Sequence, residues 1–451
     1  MAVGPMAPRL ALPADGRPKD ELLARMRFLA AGDANWRDGH TWSLVYYAGD
    51  EFTDFLKQAY AMFLSENALN PMAFPSLKRF EAEVVAMTAG LLGGDGAVVG
   101  NMTSGGSESL LMTVKTARDR ARALHPDITA PEMVLPASAH PALLKAAHYF
   151  GLTPVRTEVG ADFRAGVKAT RRAITDNTVL LVGSAPSYPH GVIDPIPEMA
   201  ALAAERGICF HVDSCLGGFL LPFARRLGYP VPDFDFSVPG VTSISADIHK
   251  YGFAAKGASV ILYRDADIRK HQYFTCADWS GGLYASPTMT GTRPGGAIAA
   301  AWAAMNHLGE EGYLRLAGAT MRTARALIDG INATPGLHVL GRPDMSVFAF
   351  ASDTLDVYLV ADLMEVKGWH LERQQLPASL HLMVTPAHAK VVEPFLADLR
   401  EAATKVASGE AAGTPGMAAM YGAIAAAPER GFVNDFLVSV LDEWTQVPDD
   451  G

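Results

Sequence analysis

Between Asp50 and Gly94 apolar residues recur at helical spacing. Phe52, Phe55, Leu56, Phe63 and Leu64 mark one helix, which stops before Pro71; Leu77, Phe80, Val84 and Met87 mark a second, ended by Gly93-Gly94. From Ala97 the pattern changes. Short unbroken apolar runs (AVVG at 97, MVLP at 133, VLLVG at 179, ICFHV at 208, SVILY at 259) alternate with amphipathic stretches over 107–124, 141–150 and 197–206. Runs of that length between helices predict parallel strands buried on both faces, hence an α/β domain. After Gly312 a long helical pattern over 313–331 leads into strand-like HVL at 338, SVFAF at 346 and a run over 380–384. A helix near 355–367 intervenes, and a final helix follows from Ala387. The expected organisation is an N-terminal arm with helices (1–60), a large domain (61–311) and a smaller α+β C-terminal domain ending in an extension (312–451). SGEAAGTPG at 408–416 reads as a linker.

Composition narrows the function classes. Apolar residues make up 49% and charged residues 19%, as in a folded enzyme with a substantial core. The formal net charge of -10, with no basic tract, gives a nucleic-acid partner no electrostatic support. Cys209, Cys215 and Cys276 are too few and too scattered for a disulfide framework or a tetrahedral zinc site, so no metal and a reducing cytoplasm are expected. No apolar run approaches the roughly 18 residues of a spanning helix, and no signal peptide is visible. If the substrate is a lipid, it is captured from solution or by transient contact with a membrane surface.

Candidate chemistry gathers at the predicted strand ends, where α/β active sites form. A lone lysine is ordinarily a solvated charge. Lys250, in DIHKYG after the strand-like VTSIS, has company. Asp213 closes the strand-like ICFHVD before Gly217-Gly218. Ser104, Gly105 and Gly106 lie between a strand and a helix start in NMTSGGSES, the local pattern of an anion site at a helix N-terminus. His140 follows the strand-like MVLP, placed to stack on a ring or to assist proton transfer. Taken singly, each residue has a structural explanation as cap, turn or ion-pair partner. Together, in this order along a β/α chain, they predict pyridoxal 5'-phosphate (PLP). An amine forms a Schiff base, an acid protonates the pyridine nitrogen and a loop cradles the phosphate.

Longer motifs carry a resemblance. TSGGSES, SAHPALLKAAHYFG, PHGVIDPIPE, HVDSCLGGFL, GVTSISADIHKYGFAAKG, DWSGGLYASPTMTGTRPGG and GMAAMYG closely resemble the sphingosine-1-phosphate lyases, over about residues 40 to 425. That resemblance implies PLP fold type I, the aspartate-aminotransferase-like fold: a large domain with a mainly parallel sheet flanked by helices, plus the smaller C-terminal domain. It implies retro-aldol cleavage of a phosphorylated long-chain base into a fatty aldehyde and phosphoethanolamine. It also implies a homodimer whose active sites draw residues from both chains. By motif, Lys250 is the Schiff-base lysine, Asp213 the pyridine-nitrogen partner and His140 the stacking residue. Ser104, Gly105, Gly106 and His249 accompany the cofactor, with Thr292 contributed from the neighbouring chain. Lys256 matches a substrate-phosphate lysine, Tyr46 and Tyr284 match active-site tyrosines, and Tyr188 lines the same pocket. Asn70 stands where relatives carry a histidine that grips the substrate phosphate. The N-terminal membrane segment of eukaryotic members is not expected here.

Tyr46, Tyr284, His140 and the cofactor phosphate all remain candidates for the base that removes the C3 hydroxyl proton. Trp42, Trp279 and Phe274 are read as packing aromatics. Two other readings are an amino-acid decarboxylase of the same superfamily and a non-catalytic PLP-binding dimer.

Overall fold

The structure is a computed structural model that describes residues 11–411, 416–426 and 431–447. The first ten residues of the expected arm, and 412–415 of the expected linker, lie outside the described residues.

The apolar runs become a seven-stranded sheet. Its strands are β1 (Val99–Thr103), β2 (Glu132–Pro136), β3 (Thr153–Thr157), β4 (Thr178–Ser184), β5 (Cys209–Asp213), β6 (Ser243–Ala246) and β7 (Ser259–Tyr263), in the spatial order β1-β7-β6-β5-β4-β2-β3. β4, β5, β6 and β7 are buried at every position, which is why they read as unbroken apolar runs rather than alternating ones. The pairs β2–β3, β2–β4, β4–β5 and β5–β6 are parallel. SVILY departs from the expectation. As β7 it pairs antiparallel with both β1 and β6, because complete burial fixes the composition of a strand and says nothing of its direction. The sheet's main core includes Val134, Leu181, Phe210, Val212, Ile244 and Leu262.

The N-terminal helical pattern resolves into helices Asp50–Met62 and Pro75–Leu91, both packed on the long helix Gly295–Asn332. That helix is two segments joined at Gly309, whose φ of 55° breaks the helical path.

Two further strands, β8 (Phe274–Trp279) and β9 (Gly282–Ser286), form a hairpin that the apolar pattern does not announce. Most of its side chains are exposed, including Phe274 at 59% and Trp279 at 57%. Those two aromatics pack edge-on against Tyr284, with ring centroids 6.1 and 6.4 Å apart, on the hairpin and not in a core. Trp42 does pack in a core: it is fully buried and stacks on His388 at 4.3 Å between ring centroids. It belongs to a second core beneath a four-stranded sheet, β10 (His338–Val339), β11 (Val347–Ala351), β12 (Glu372–Gln374) and β13 (Ser379–Met383). Residues 40–42 tie into the smaller sheet through backbone hydrogen bonds with His370 and Met383, whereas residues 11–35 are exposed.

Among the described residues, no helix is long and apolar enough to cross a membrane, and no group of His, Cys, Asp or Glu could hold a metal ion.

Candidate active site

The parallel strands end on one side of the sheet, and the loops that leave them enclose a cavity of ≈ 350 Å³. Ser104, Gly105 and Gly106 follow β1 and open the helix Gly106–Leu124; His140 follows β2; Tyr188 follows β4. Asp213 is the last residue of β5, and His249 and Lys250 follow β6. Eight of the residues singled out in the sequence therefore line one space.

The loop after β1 is shaped by glycine. A Cβ on Gly106 would come within 2.8 Å of Asp247 Oδ2 and 2.9 Å of Cys215 Sγ, so only glycine lets this turn lie against the cavity floor. The Glu108 carboxylate accepts the Ser104 N–H at 2.7 Å and the Met289 N–H at 3.0 Å, which locks the loop and joins it to the segment after the hairpin. Behind Asp213, a Cβ on Gly217 would reach within 2.1 Å of the Ala185 carbonyl, so the chain passes beneath the cavity at backbone contact.

Asp213 Oδ1 accepts the Cys215 N–H at 3.1 Å and the Ser245 hydroxyl at 3.5 Å. His140 Nδ1 accepts the Ala142 N–H at 3.2 Å, and burial lowers the imidazole pKa. The neutral ring therefore carries its proton on Nε2. Burial raises the Tyr188 phenol to about 12, with the Glu372 carboxylate adding to the effect, so this phenol holds its proton at neutral pH.

Asp247 is the site residue that the sequence reading missed. Its Oδ2 lies 3.0 Å from Lys250 Nζ and 3.6 Å from His249 Nε2, and its side chain is 1% exposed. Burial alone would raise this carboxyl and lower the lysine. The ion pair overrides burial on both sides, so Asp247 is held well below the carboxylate range and Lys250 well above the ordinary lysine value. An acid three residues before a lysine, just past a strand, was the available signal.

Lys256 and Tyr46 occupy an adjoining, largely apolar cavity of ≈ 430 Å³ that shares His249 with the first and includes Phe52, Leu56 and Phe253. Lys256 Nζ donates to the Leu44 carbonyl at 2.8 Å and lies 5.1 Å from the centre of the Tyr46 ring. Burial, with Lys250 nearby, lowers its amine to about 8. The Tyr46 hydroxyl donates to Met383 Sδ, and burial pushes the phenol well above its usual value.

Asn70, Tyr284 and Thr292 line neither cavity on this chain. A Cβ on Gly291, the residue before Thr292, would come within 3.4 Å of Tyr284 Oη and 3.8 Å of Leu69, so these chain segments are neighbours. Asn70 is exposed, its Oδ1 accepting the Met72 N–H, and Thr292 is exposed too.

The donor set fits pyridoxal phosphate. An amine for the aldehyde, a carboxylate for the ring nitrogen, an imidazole and a glycine-lined helix start for the phosphate all face one cavity, and Asp247 Oδ1 is a buried acceptor without a partner.

Comparison with known proteins agrees. The pyridoxal-dependent decarboxylase conserved domain matches residues 10–352. Sphingosine-1-phosphate lyase of Arabidopsis thaliana is 51% identical over 430 residues, covering 94% of this chain and 79% of its own length. Sphingosine-1-phosphate lyase 1 of Rattus norvegicus is 45% identical over 434 residues, covering 96% and 76%. Among solved structures, the Burkholderia pseudomallei sphingosine-1-phosphate lyase superposes with a TM-score of 0.90 at 41% identity, covering 98% of both chains. The Lactobacillus brevis glutamate decarboxylase, at 20% identity and a TM-score of 0.77, shares the fold. The chain belongs to the pyridoxal-dependent decarboxylase family and, within it, to the sphingosine-1-phosphate lyases.

Proposed function

We propose that this chain cleaves phosphorylated long-chain bases at the C2–C3 bond, releasing a fatty aldehyde and phosphoethanolamine. The observation that carries the reading is the meeting of Lys250, Asp213, His140 and the 104–106 loop around one cavity, in a chain similar to lyases of this specificity over nearly its whole length.

When bound, pyridoxal phosphate supplies an aldehyde for the substrate amine and a protonated ring that accepts the electron pair of the breaking bond. The rest is work for side chains. Lys250 would hold the cofactor covalently and exchange places with the substrate amine. Asp213 would keep the ring nitrogen charged, a preorganised electrostatic contribution. His140, fixed by the Ala142 N–H, would cover the ring face. Tyr188 and Tyr46, both held as phenols, would hold protons near the departing oxygen. Ser104, Gly105, Gly106 and His249 would bind the cofactor phosphate, and Lys256 would meet the substrate phosphate.

The decarboxylase alternative needs a cation aimed at an α-carboxylate. On this chain, Lys250 is the one Lys or Arg among the cavity's lining residues, and it is paired with Asp247. Arg373 does not line the cavity, and its guanidinium is held between Asp362, at 2.6 Å, and Glu365, at 2.7 Å. A test supplies purified enzyme with a phosphorylated sphingoid base and with aromatic and acidic amino acids. Long-chain aldehyde from the former is expected; carbon dioxide from an amino acid would overturn the reading.

A homodimer with shared sites is part of this proposal. Asn70, Tyr284 and Thr292 do not line the Lys250 cavity on this chain, and they would complete the partner's. Coexpressing Lys250→Ala with Tyr284→Phe is the check. If each site takes Lys250 from one chain and Tyr284 from the other, half of the dimers are mixed and one of their two sites is intact. About a quarter of wild-type activity should then return; no recovery beyond the single variants would remove Tyr284 from the partner's site. The domain organisation 1–60, 61–311 and 312–451 belongs to the same reading. So does a cytoplasmic location, supported by three free cysteines, two of them buried, with any membrane contact confined to lipid capture.

Lys256 gives a pH prediction. An amine lowered to about 8 is charged below that pH and loses its charge above it. The KM for a phosphorylated substrate should therefore rise as pH passes through about 8, with kcat less affected. Lys256→Met should remove that dependence and raise KM about tenfold or more, the worth of one charge-assisted phosphate contact. A KM profile unchanged by the substitution would take Lys256 out of the phosphate site.

A further inference from the structure

Three carboxylates line the cavity: Glu108 holds the 104–106 loop in place, Asp213 serves the reaction, and Asp247 has no role so far. Asp247 follows the end of β6, where its N–H donates to the Cys215 carbonyl at 3.3 Å and its own carbonyl accepts the Lys250 N–H at 3.3 Å. The short turn aims the two side chains at each other, and Oδ2 meets Lys250 Nζ at 3.0 Å. The carboxylate is shut off from water, its side chain 1% exposed, while Lys250, 25% exposed, reaches from it into the cavity. Oδ1 is buried without a partner. An acid in this position is costly to keep charged unless its counter-ion is fixed.

We propose that Asp247 is a positioning residue for the reaction: it is the buried counter-anion that keeps the Lys250 nitrogen charged and aimed into the cavity, as the free amine and after that nitrogen is joined to the cofactor's aldehyde carbon. The proposal rests on Lys250 being the cofactor lysine. Each acid then serves one nitrogen, Asp213 that of the ring and Asp247 that of the lysine. A proton retained on the linking nitrogen draws electron density from the carbon that an incoming substrate amine must attack, so Asp247 would speed exchange without touching substrate.

Other groups act on the pair from every side. Cys215 and Asp213 add to the pull that keeps the Lys250 proton, and Ser259 supports the Asp247 charge from β7. His249 lies 3.6 Å from the same Asp247 oxygen. His140, Tyr46 and Lys256 each feel the Asp247 charge. The Asp247–Lys250 contact is the shortest charged contact among them and opposes burial most directly.

The test reads protonation on cofactor-free protein. Lys250 and Lys256 are acylated with an amine-selective reagent over a pH series, and each is followed by peptide mass spectrometry. In wild type, Lys250 should reach half-maximal reactivity above the ordinary lysine value of about 10.4, and Lys256 near 8. Asp247→Asn should lower the Lys250 midpoint by about two pH units, making that lysine about a hundredfold more reactive at pH 8. Asp247→Glu should restore part of the shift. In PLP-loaded protein, the pH midpoint of the visible absorption band should fall in the same direction. An Asp247→Asn protein that is folded by circular dichroism, with both midpoints unmoved, overturns the proposal. If that variant does not fold, a wild-type Lys250 midpoint at or below the ordinary value does so alone. Because acylation requires no substrate, failure of the lyase assay alongside a shifted Lys250 midpoint would remove the lyase reading and leave Asp247's role intact.

Discussion

Lys250→Ala should abolish turnover, lowering kcat by a factor on the order of 10⁴ or more, because the variant has no amine with which to hold the cofactor or release the product. The visible absorption band of the loaded protein should vanish with it. Alanine also leaves the Asp247 carboxylate buried without its cation, and breaking a buried pair in this way costs about 3–5 kcal/mol, so a lower Tm is expected as well. Lys250→Arg separates the two effects. Arginine keeps the positive charge beside Asp247 and should recover much of the lost stability, yet its guanidinium cannot make the covalent link, so activity stays absent. Turnover retained in either variant would remove Lys250 from the reaction. Assays with purified variants, paired with thermal melts, make both comparisons.

Asp213→Asn should be the second most damaging change. The amide can still accept the Cys215 N–H that the carboxylate accepts at 3.1 Å, so the loop after β5 keeps its shape. What goes is the negative charge that would hold a proton on the pyridine nitrogen. Removing one preorganised electrostatic contact of this kind typically costs about 10²–10³ in kcat. The loss should fall on kcat, while the protein still takes up cofactor and shows the lysine-linked absorption band. A variant with unchanged kcat would mean that the ring nitrogen finds its proton elsewhere.

These two residues were legible in the sequence for a local reason. Asp213 ends an apolar run and Lys250 follows another, and strand ends in an α/β sheet gather on one side whatever the details of the loops. The loop at 104–106 and His140 were found by the same rule. Asp247 was passed over because an acid in a strand-end loop reads as a turn residue. Its reach to Lys250 Nζ is set by the turn the two share, whereas its place in the floor beneath Gly106 appears only once the sheet is assembled.

The direction of β7 was not legible, because SVILY is buried on both faces and its composition is the same whichever way it runs. The β8–β9 hairpin escaped notice because FTCADW and GLYAS are mostly exposed, so no buried face imprints a period on them. Trp42 was rightly read as packing, but its partners, His388 and Phe395, lie more than three hundred residues away. Tyr284 and Thr292 carry the family pattern and Asn70 departs from it, yet on a single chain none of the three lines the Lys250 cavity.

The most direct measurement reduces the PLP-loaded protein with borohydride, digests it and maps the pyridoxyl-modified peptide by mass spectrometry. The account predicts one modified lysine per chain, Lys250, within DIHKYG, with bleaching of the visible band in step. Modification centred on Lys256 or on a surface lysine, with Lys250 unlabelled, would contradict it.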